Sequence, residues 1–340
     1  MFIITVKNVK KYVQAHRSDL PFSYQKINQV EEITEETYVN WIYRVEFSTK
    51  TGPLIVYLRQ SRDYVKKKPE YKMPAERIAY EEKILAKLGQ IVPGVVPEVV
   101  YFDIKNNVLW LADIKQGCPL LVKQLLQGHA HPETGKYFGK VLAIIHGNTF
   151  GIRHKEVRGS VKLNQAAVDF HLGMRLAPAI KMFPQATTQL LKQSKRAPTC
   201  LVLGDLASKN IFVDGTKIRF LDLERSFIGD PAFDLAFLFC HYLIEVPPNK
   251  ISSSLAFIRQ LIVSYRKNIK PFLSKVERAR FENRLIRFVG VTILYRLFGF
   301  YLVTAVDPDK EWWKRVAHQL LAEQKSKDLV KSLHQALKVK

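Results

Sequence analysis

The feature that most constrains how this chain can fold is a change of pattern near residue 113. Before it, short alternating runs dominate. Trp41-Ile-Tyr-Arg-Val-Glu-Phe and Leu54-Ile-Val-Tyr-Leu read as two strands, and Lys50-Thr-Gly-Pro53 between them is a turn signal, so a hairpin is expected. Residues 75–88 carry Ile78, Leu85 and Leu88 at helical spacing, with Gly89 as a stop. Pro93 and Pro97 punctuate the path to Val99-Val-Tyr-Phe, and Asn106-Asn107 turns the chain back into Val108-Leu-Trp-Leu. Beyond Asp113 the pattern is helical over 135–147, 164–195, 233–246, 251–268, 274–305 and 310–337. Short apolar strands return only over 200–222. The expected class is therefore α+β: a small N-terminal β-sheet lobe with one helix (residues 1–113), then a larger, mainly helical C-terminal lobe (residues 114–340). A chain of 340 residues is long enough for two such units and for a large core.

Charge narrows the partners. Lys and Arg number 53 against 31 Asp and Glu, a net +22. The N-terminal 113 residues hold +3 of this and the remainder +19, spread along the predicted helices. Such a field favours anionic partners, from nucleotides to nucleic acid or an anionic membrane. Most of it reads as solvated helix faces. Three cysteines with no CxxC spacing point to a reducing, cytoplasmic setting and against a zinc knuckle. The N-terminal residues lack a signal-peptide core. The longest apolar stretch, Phe288 to Val306, has Arg296 at its centre, so a buried helix is expected rather than a membrane span.

Chemistry concentrates between Leu201 and Phe237. An apolar run ends at Gly204-Asp205, which sets Asp205 on a strand-to-loop edge. Asn210 follows. Ile211-Phe-Val is a short strand, Asp214-Gly215 a tight turn, and Ile218-Arg-Phe-Leu the return strand, ending at Asp222. The hairpin brings Asn210 and Asp222 to one end, with Asp205 on the loop leading in. Taken singly, each is a common turn residue. Together they are oxygen donors suited to a hard cation such as Mg²⁺, with a further carboxylate to orient or deprotonate a hydroxyl.

Asp205-Leu-x-x-x-Asn210 with a later strand-end Asp222 has the spacing of the kinase catalytic loop and its metal-binding Asp. The longer string, running through Glu224 and Gly229-Asp230-Pro231 to Asp234-Leu-Ala236, resembles the aminoglycoside phosphotransferase/choline kinase family. Where that family opens the string with His-Gly-Asp, this chain has Leu203 before Gly204. Val39-Asn40-Trp-Ile-Tyr-Arg-Val resembles the family's nucleotide-loop strand. Arg77-x-x-x-Glu81 resembles the helix supplying the acidic partner of the ATP lysine, a position held here by Arg59. Leu109-Trp-Leu-Ala-Asp113 resembles the hinge, and Gly139 to His146 the "LA-x-LH" helix. Leu58-Arg59-Gln60…Tyr64-Val65 and Leu294-Tyr295-Arg296…Gly299 are most similar to the methylthioribose kinases.

The resemblance implies a protein-kinase-like two-lobed fold and ATP- and Mg²⁺-dependent transfer of a phosphoryl group to a small-molecule hydroxyl, with a methylthioribose-like sugar as first candidate. Asp205 is then catalytic, orienting the hydroxyl and taking its proton. Asn210 and Asp222 hold the metal. Arg59 with Glu81, Asn40, and the backbone of Leu111 to Asp113 serve the nucleotide. Glu224 supports metal or substrate. Arg296, inside an apolar helix, needs a partner: a substrate oxygen or an internal carboxylate. His146 is expected to be a buried support, and Asp234 to cap its helix or brace the catalytic loop. Two other readings stay open. Leu203, Arg59 and a glycine-free nucleotide loop at Thr34 to Asn40 would suit a catalytically degenerate nucleotide-binding module. The charge would suit a nucleic-acid or membrane-surface binder, but no nucleic-acid motif accompanies it, so no specific nucleic acid is expected.

Overall fold

The computed structural model describes all residues except 36, 116, 158, 160, 300–306, 323–327 and 339–340. The chain forms two compact units, Met1–Gly117 and Cys118–Lys340.

In the first unit the strands are β1 (Lys26–Ile33), β2 (Trp41–Thr49), β3 (Gly52–Gln60), β6 (Val99–Asp103) and β7 (Val108–Ala112), with a small hairpin of β4 (Tyr64–Val65) and β5 (Lys68–Lys72) between. The five longer strands form one antiparallel sheet in the order β1-β2-β3-β7-β6. The β2–β3 register runs from Trp41 opposite Gln60 to Thr49 opposite Gly52, so the expected turn closes tightly at Lys50-Thr51. Strand periodicity then sorts the side chains. Tyr43, Val45, Phe47, Val56, Leu58, Val108 and Trp110 form one apolar cluster. Ile4, Val9, Tyr12 and Val13 of the N-terminal segment belong to the same cluster. The cover comes from a two-turn helix, Val9–Ala15, which the sequence pattern does not announce. Its buried residues stand at i, i+3 and i+4, but seven residues are too few for periodicity to stand out.

The expected long helix is present at Arg77–Ile91 and buries Ile78, Ile84, Leu85 and Leu88. It runs past Gly89, which was expected to stop it. Gly89 is not among the glycines of positive φ, and the cap falls at Val92, whose N–H bonds Leu88 O. Pro93 is what ends the helix, because the residue before a proline is pushed out of the helical region.

In the second unit, helix Pro132–Asn148 packs against helix Ile251–Ile269. Gly135 and Gly139 lie at that crossing: a Cβ on either would strike Phe257 O or Leu261 O. Helix Ala232–Ile244 is buried along its whole length, as its all-round apolar sequence requires. Beside it runs helix Lys275–Phe298. The last residues of the apolar stretch, 300–306, lie outside the described residues. No helix among the described residues is long and apolar enough to cross a membrane.

Two expected helices are divided. Over 164–195 the chain forms Val161–Val168, a six-residue π-helical turn Asp169–Met174, then Arg175–Met182 and Pro184–Ser194. Pro184 stands at the start of the last, where its missing N–H costs nothing. Over 310–337 there are two helices, Lys310–Leu321 and Leu329–Ala336. Asp309 caps the first, accepting from Trp312 N at 2.9 Å, and Asp328 the second, accepting from Lys331 N at 3.0 Å. Among the helices, β8 (Cys200–Val202) pairs with β11 (Phe227–Gly229), and β9 (Ile211–Asp214) with β10 (Lys217–Phe220). The β9–β10 turn falls one residue later than expected: Asp214 pairs with Lys217, so the turn residues are Gly215-Thr216, with Gly215 at φ 55° in the first central position.

Candidate active site

The centre of the second unit is the loop that leaves β8. Leu203 N–H and Gly204 N–H donate to the two oxygens of Asp234, at 2.7 and 2.9 Å. Asp234 lies in the first turn of helix Ala232–Ile244 and is fully buried. It also meets His146 Nε2 at 3.2 Å, while His146 Nδ1 is 2.9 Å from Tyr265 Oη. With the proton on Nε2, His146 donates to the carboxylate and accepts the tyrosine hydroxyl. Asp234 thus braces the loop, and His146 is the buried, hydrogen-bonded support expected of it. Gly204 has φ +79°, and a Cβ there would come within 2.7 Å of Arg225 O. Only glycine fits both the angle and the space.

Asp205 follows, with its side chain 15 % exposed. Its Oδ1 accepts from Arg175 Nη2 at 2.8 Å. Asn210 Nδ2 donates to Asp205 O at 3.2 Å and approaches Oδ2 at 3.4 Å. The β9–β10 ladder pairs Ile211 with Phe220, and Leu221 N–H donates to Asn210 O at 2.8 Å. That places Asn210 opposite Leu221, one residue from Asp222. So Asp205, Asn210 and Asp222 are gathered at one end of a two-stranded ribbon. Asp222 sits in the left-handed region at φ 60°, ψ 58°. For a residue with a Cβ this conformation is costly, and aspartate is among the few that adopt it. Glu224 follows on a buried 3₁₀ turn.

The donor set fits a hard divalent cation. Asn210 uses its amide nitrogen on Asp205, which turns its carbonyl oxygen the other way. Asp222, one residue past Leu221 at the same ribbon end, is the second oxygen-bearing residue, and one or two such protein ligands are what Mg²⁺ takes when phosphates and water complete its shell. No cluster of three or more His, Cys, Asp or Glu is arranged to hold a metal among the described residues.

Arg296 lies on helix Lys275–Phe298, and its Nη2 is 3.1 Å from Glu245 Oε1. Glu245 also accepts from Ser208 Oγ at 2.5 Å and faces His241 Nδ1 at 2.7 Å. Burial alone would raise the Glu245 carboxyl, but His241, Arg296 and Ser208 together hold it down at about 2. Burial lowers His241 below its ordinary value against the pull of Glu245. This group ties the loop at Ser208 to two helices.

In the first unit, Arg59 Nε is 3.1 Å from Glu81 Oε2, both side chains almost buried. Arg59 stands across from Leu109, and Tyr57 from Leu111. Strand alternation therefore puts Arg59 and Leu111 on the same face of the sheet. Asp113 lies one residue past β7 and accepts from Lys115 N at 2.9 Å. Asn40 Oδ1 accepts from Arg77 Nη2 at 2.6 Å, and Arg77 Nη1 reaches the carbonyls of Arg62 and Pro74. Lys66, at the β4–β5 turn and first of three successive lysines, pairs with Glu32 at 2.7 Å. The structure thus gathers two groups, Asp205 with Asn210 and Asp222 in one unit and Arg59 with Glu81 and Leu111 in the other. Arg175, Glu245 and His241 belong to no motif of the sequence. Arg175 lies 30 residues from Asp205, too far for local spacing to reveal.

The phosphotransferase enzyme family model (APH) matches residues 53–250. The chain is 21 % identical over 326 residues to a methylthioribose kinase of Bacillus velezensis, covering 84 % of this chain and 82 % of that protein. It is 24 % identical over 231 residues to a methylthioribose kinase of Geobacillus kaustophilus, covering 59 % and 57 %. Among solved structures it is similar to a choline/ethanolamine kinase family protein of Mesorhizobium loti (TM-score 0.52, 16 % identity, 98 % of this chain and 99 % of that one). It is also similar to an amicoumacin kinase solved with AMP-PNP and Ca²⁺ (TM-score 0.54, 14 % identity, 93 % and 95 %). These likenesses confirm the protein-kinase-like fold expected from the sequence. The chain belongs to the phosphotransferase enzyme family.

Proposed function

We propose that this protein is a small-molecule kinase that moves the γ-phosphoryl group of ATP to an acceptor hydroxyl. The observation that carries the reading is the joining of Asp205, Asn210 and Asp222 at one ribbon end, in a chain of this family. Asp205 orients the hydroxyl. As the acceptor oxygen bonds to the γ-phosphorus, the bond from that phosphorus to ADP breaks and its electron pair leaves with ADP. The acceptor proton passes to Asp205. Asn210 and Asp222 would hold Mg²⁺, which when bound offsets charge on the phosphates. Arg59, fixed by Glu81, serves the α- and β-phosphates, and the backbone of Leu111 to Asp113 serves adenine. Asn40 acts through Arg77, steadying the nucleotide-binding face. Glu224 supports the metal ribbon.

A methylthioribose-like sugar is the proposed acceptor, on the strength of the two curated relatives. Glu245 is engaged within the fold rather than held free for a cationic acceptor. Its carboxylate already serves Ser208, His241 and Arg296. Arg296 would support the acceptor site by way of this buried group. Acceptor-dependent ADP release from Mg²⁺–ATP, compared between methylthioribose, choline and an aminoglycoside, tests the reading. Turnover on the sugar supports it. Turnover on choline alone would replace the acceptor, and tight Mg²⁺–ATP binding with no turnover on any acceptor would favour the degenerate module.

A further inference from the structure

Arg175 belongs to no motif of the sequence, yet it is the side chain most closely engaged with Asp205. Only 4 % of its surface is exposed. One terminal nitrogen, Nη2, donates to Asp205 Oδ1 at 2.8 Å. The other, Nη1, donates to Gly204 O. A single planar fork therefore grips two successive groups of the loop. The guanidinium is itself enclosed by rings: its central carbon lies 4.3 Å from the ring centre of Phe237, 5.5 Å from Tyr295 and 5.6 Å from Phe233. A cation held over aromatic faces, with both ends bonded, has no room to swing. The segment that carries it is also irregular. Arg175 opens a helix directly after the π-helical turn Asp169–Met174, and such turns recur at functional sites. His171 of that turn bonds Arg225 O at 2.7 Å, the carbonyl that crowds Gly204.

We infer that Arg175 is a positioning residue that holds Asp205 Oδ1 and so presents Oδ2 to the acceptor hydroxyl. The inference rests on the kinase reading of Asp205. Of the two carboxylate oxygens, Oδ1 is engaged in a short charged bond, whereas among the described residues Oδ2 meets the long 3.4 Å approach of Asn210. Without the fork the carboxylate turns freely about its terminal bond, and the hydroxyl meets an unaligned base. Lysine cannot replace the grip, because one ammonium lacks the planar pair of donors that reaches Gly204 O and Asp205 together.

The test compares wild type, Arg175→Lys and Arg175→Ala. Steady-state kinetics are measured with the acceptor that gives Asp205-dependent ADP release, alongside Mg²⁺–ATP affinity. In both variants turnover is expected to slow by about 30-fold or more, the scale of a misaligned reacting group, with ATP affinity within threefold of wild type. Millimolar guanidinium should restore at least tenfold of the loss in Arg175→Ala but nothing in Arg175→Lys, whose side chain fills the space. Turnover within threefold of wild type in Arg175→Lys would overturn the inference. So would losses of turnover and ATP affinity that track each other and ignore guanidinium, since that is a folding defect. If wild type turns over no acceptor, the kinase reading fails separately. Crystal structures of the variants then decide: an Asp205 carboxylate that keeps its orientation without Arg175 overturns the positioning role.

Discussion

At the residue scale, the loop after β8 depends on two carboxylates with different duties. Asp205 is the proposed proton acceptor. Asp205→Asn keeps the shape and removes the proton acceptor, and is expected to slow turnover by about 10²–10⁴-fold with folding intact, checked by ADP release beside a melting curve. Asp234 faces the backbone. Asp234→Asn would put an amide donor against one of two backbone N–H groups that now donate to it. The expected cost is about 1–3 kcal/mol, read by urea unfolding. Leu203, which stands where the family's string has His, is fully buried, and its N–H rather than its side chain makes the tie. In the other unit, Arg59→Met removes a charged donor and is expected to raise the KM for ATP by about 10–100-fold. Asp205, Asn210 and Asp222 were legible in the sequence because a loop and a tight hairpin join them by local geometry. Arg175 and Glu245 were not, because their partners come from distant helices and only tertiary packing brings them together.

At the scale of elements, the crossing of helices Pro132–Asn148 and Ile251–Ile269 sets His146 beneath Asp234. Gly139→Ala would press a methyl group onto Leu261 O. The expected destabilisation is about 1–3 kcal/mol, with activity following the folded fraction. The Ser208–Glu245–His241–Arg296 group gives the second unit an acid limit. Glu245 is held below its ordinary value, so its contribution is full above about pH 4.5 and falls away as pH drops towards 2. His241 is also lowered, so below about pH 6.5 the unfolded chain takes up a proton that the folded chain refuses. Both effects have one sign: stability falls as pH falls. Melting temperatures across that range should decline, and more gently in a His241→Gln variant. Long periodic elements such as Arg77–Ile91 could be read from sequence alone. The breaks within 164–195 and 310–337 could not, since a six-residue π-turn is too short to show a period of its own and a single capping Asp is masked by the charge around it.

At the scale of the whole molecule, the two units divide the proposed work. The N-terminal sheet has one face closed by the N-terminal segment, and Arg59 and Leu111 lie on the other. The helical unit carries Asp205, Asn210 and Asp222, the proposed catalytic and metal residues, at one end of the β9–β10 ribbon, with Asp234 bracing the loop that leads in. The +22 charge is carried mostly outside this machinery. It predicts weak, non-specific DNA binding that fades steeply between low and moderate salt, measurable by fluorescence anisotropy. Sub-micromolar affinity that survives moderate salt would give the charge a function of its own. The account turns on phosphoryl transfer at Asp205, and one measurement reaches it directly: Mg²⁺-dependent ADP release from ATP with methylthioribose, in wild type and Asp205→Asn side by side. The account predicts release that needs both metal and acceptor and that nearly vanishes in the variant. Equal release from the two proteins, or no binding of Mg²⁺–ATP by either, would contradict it.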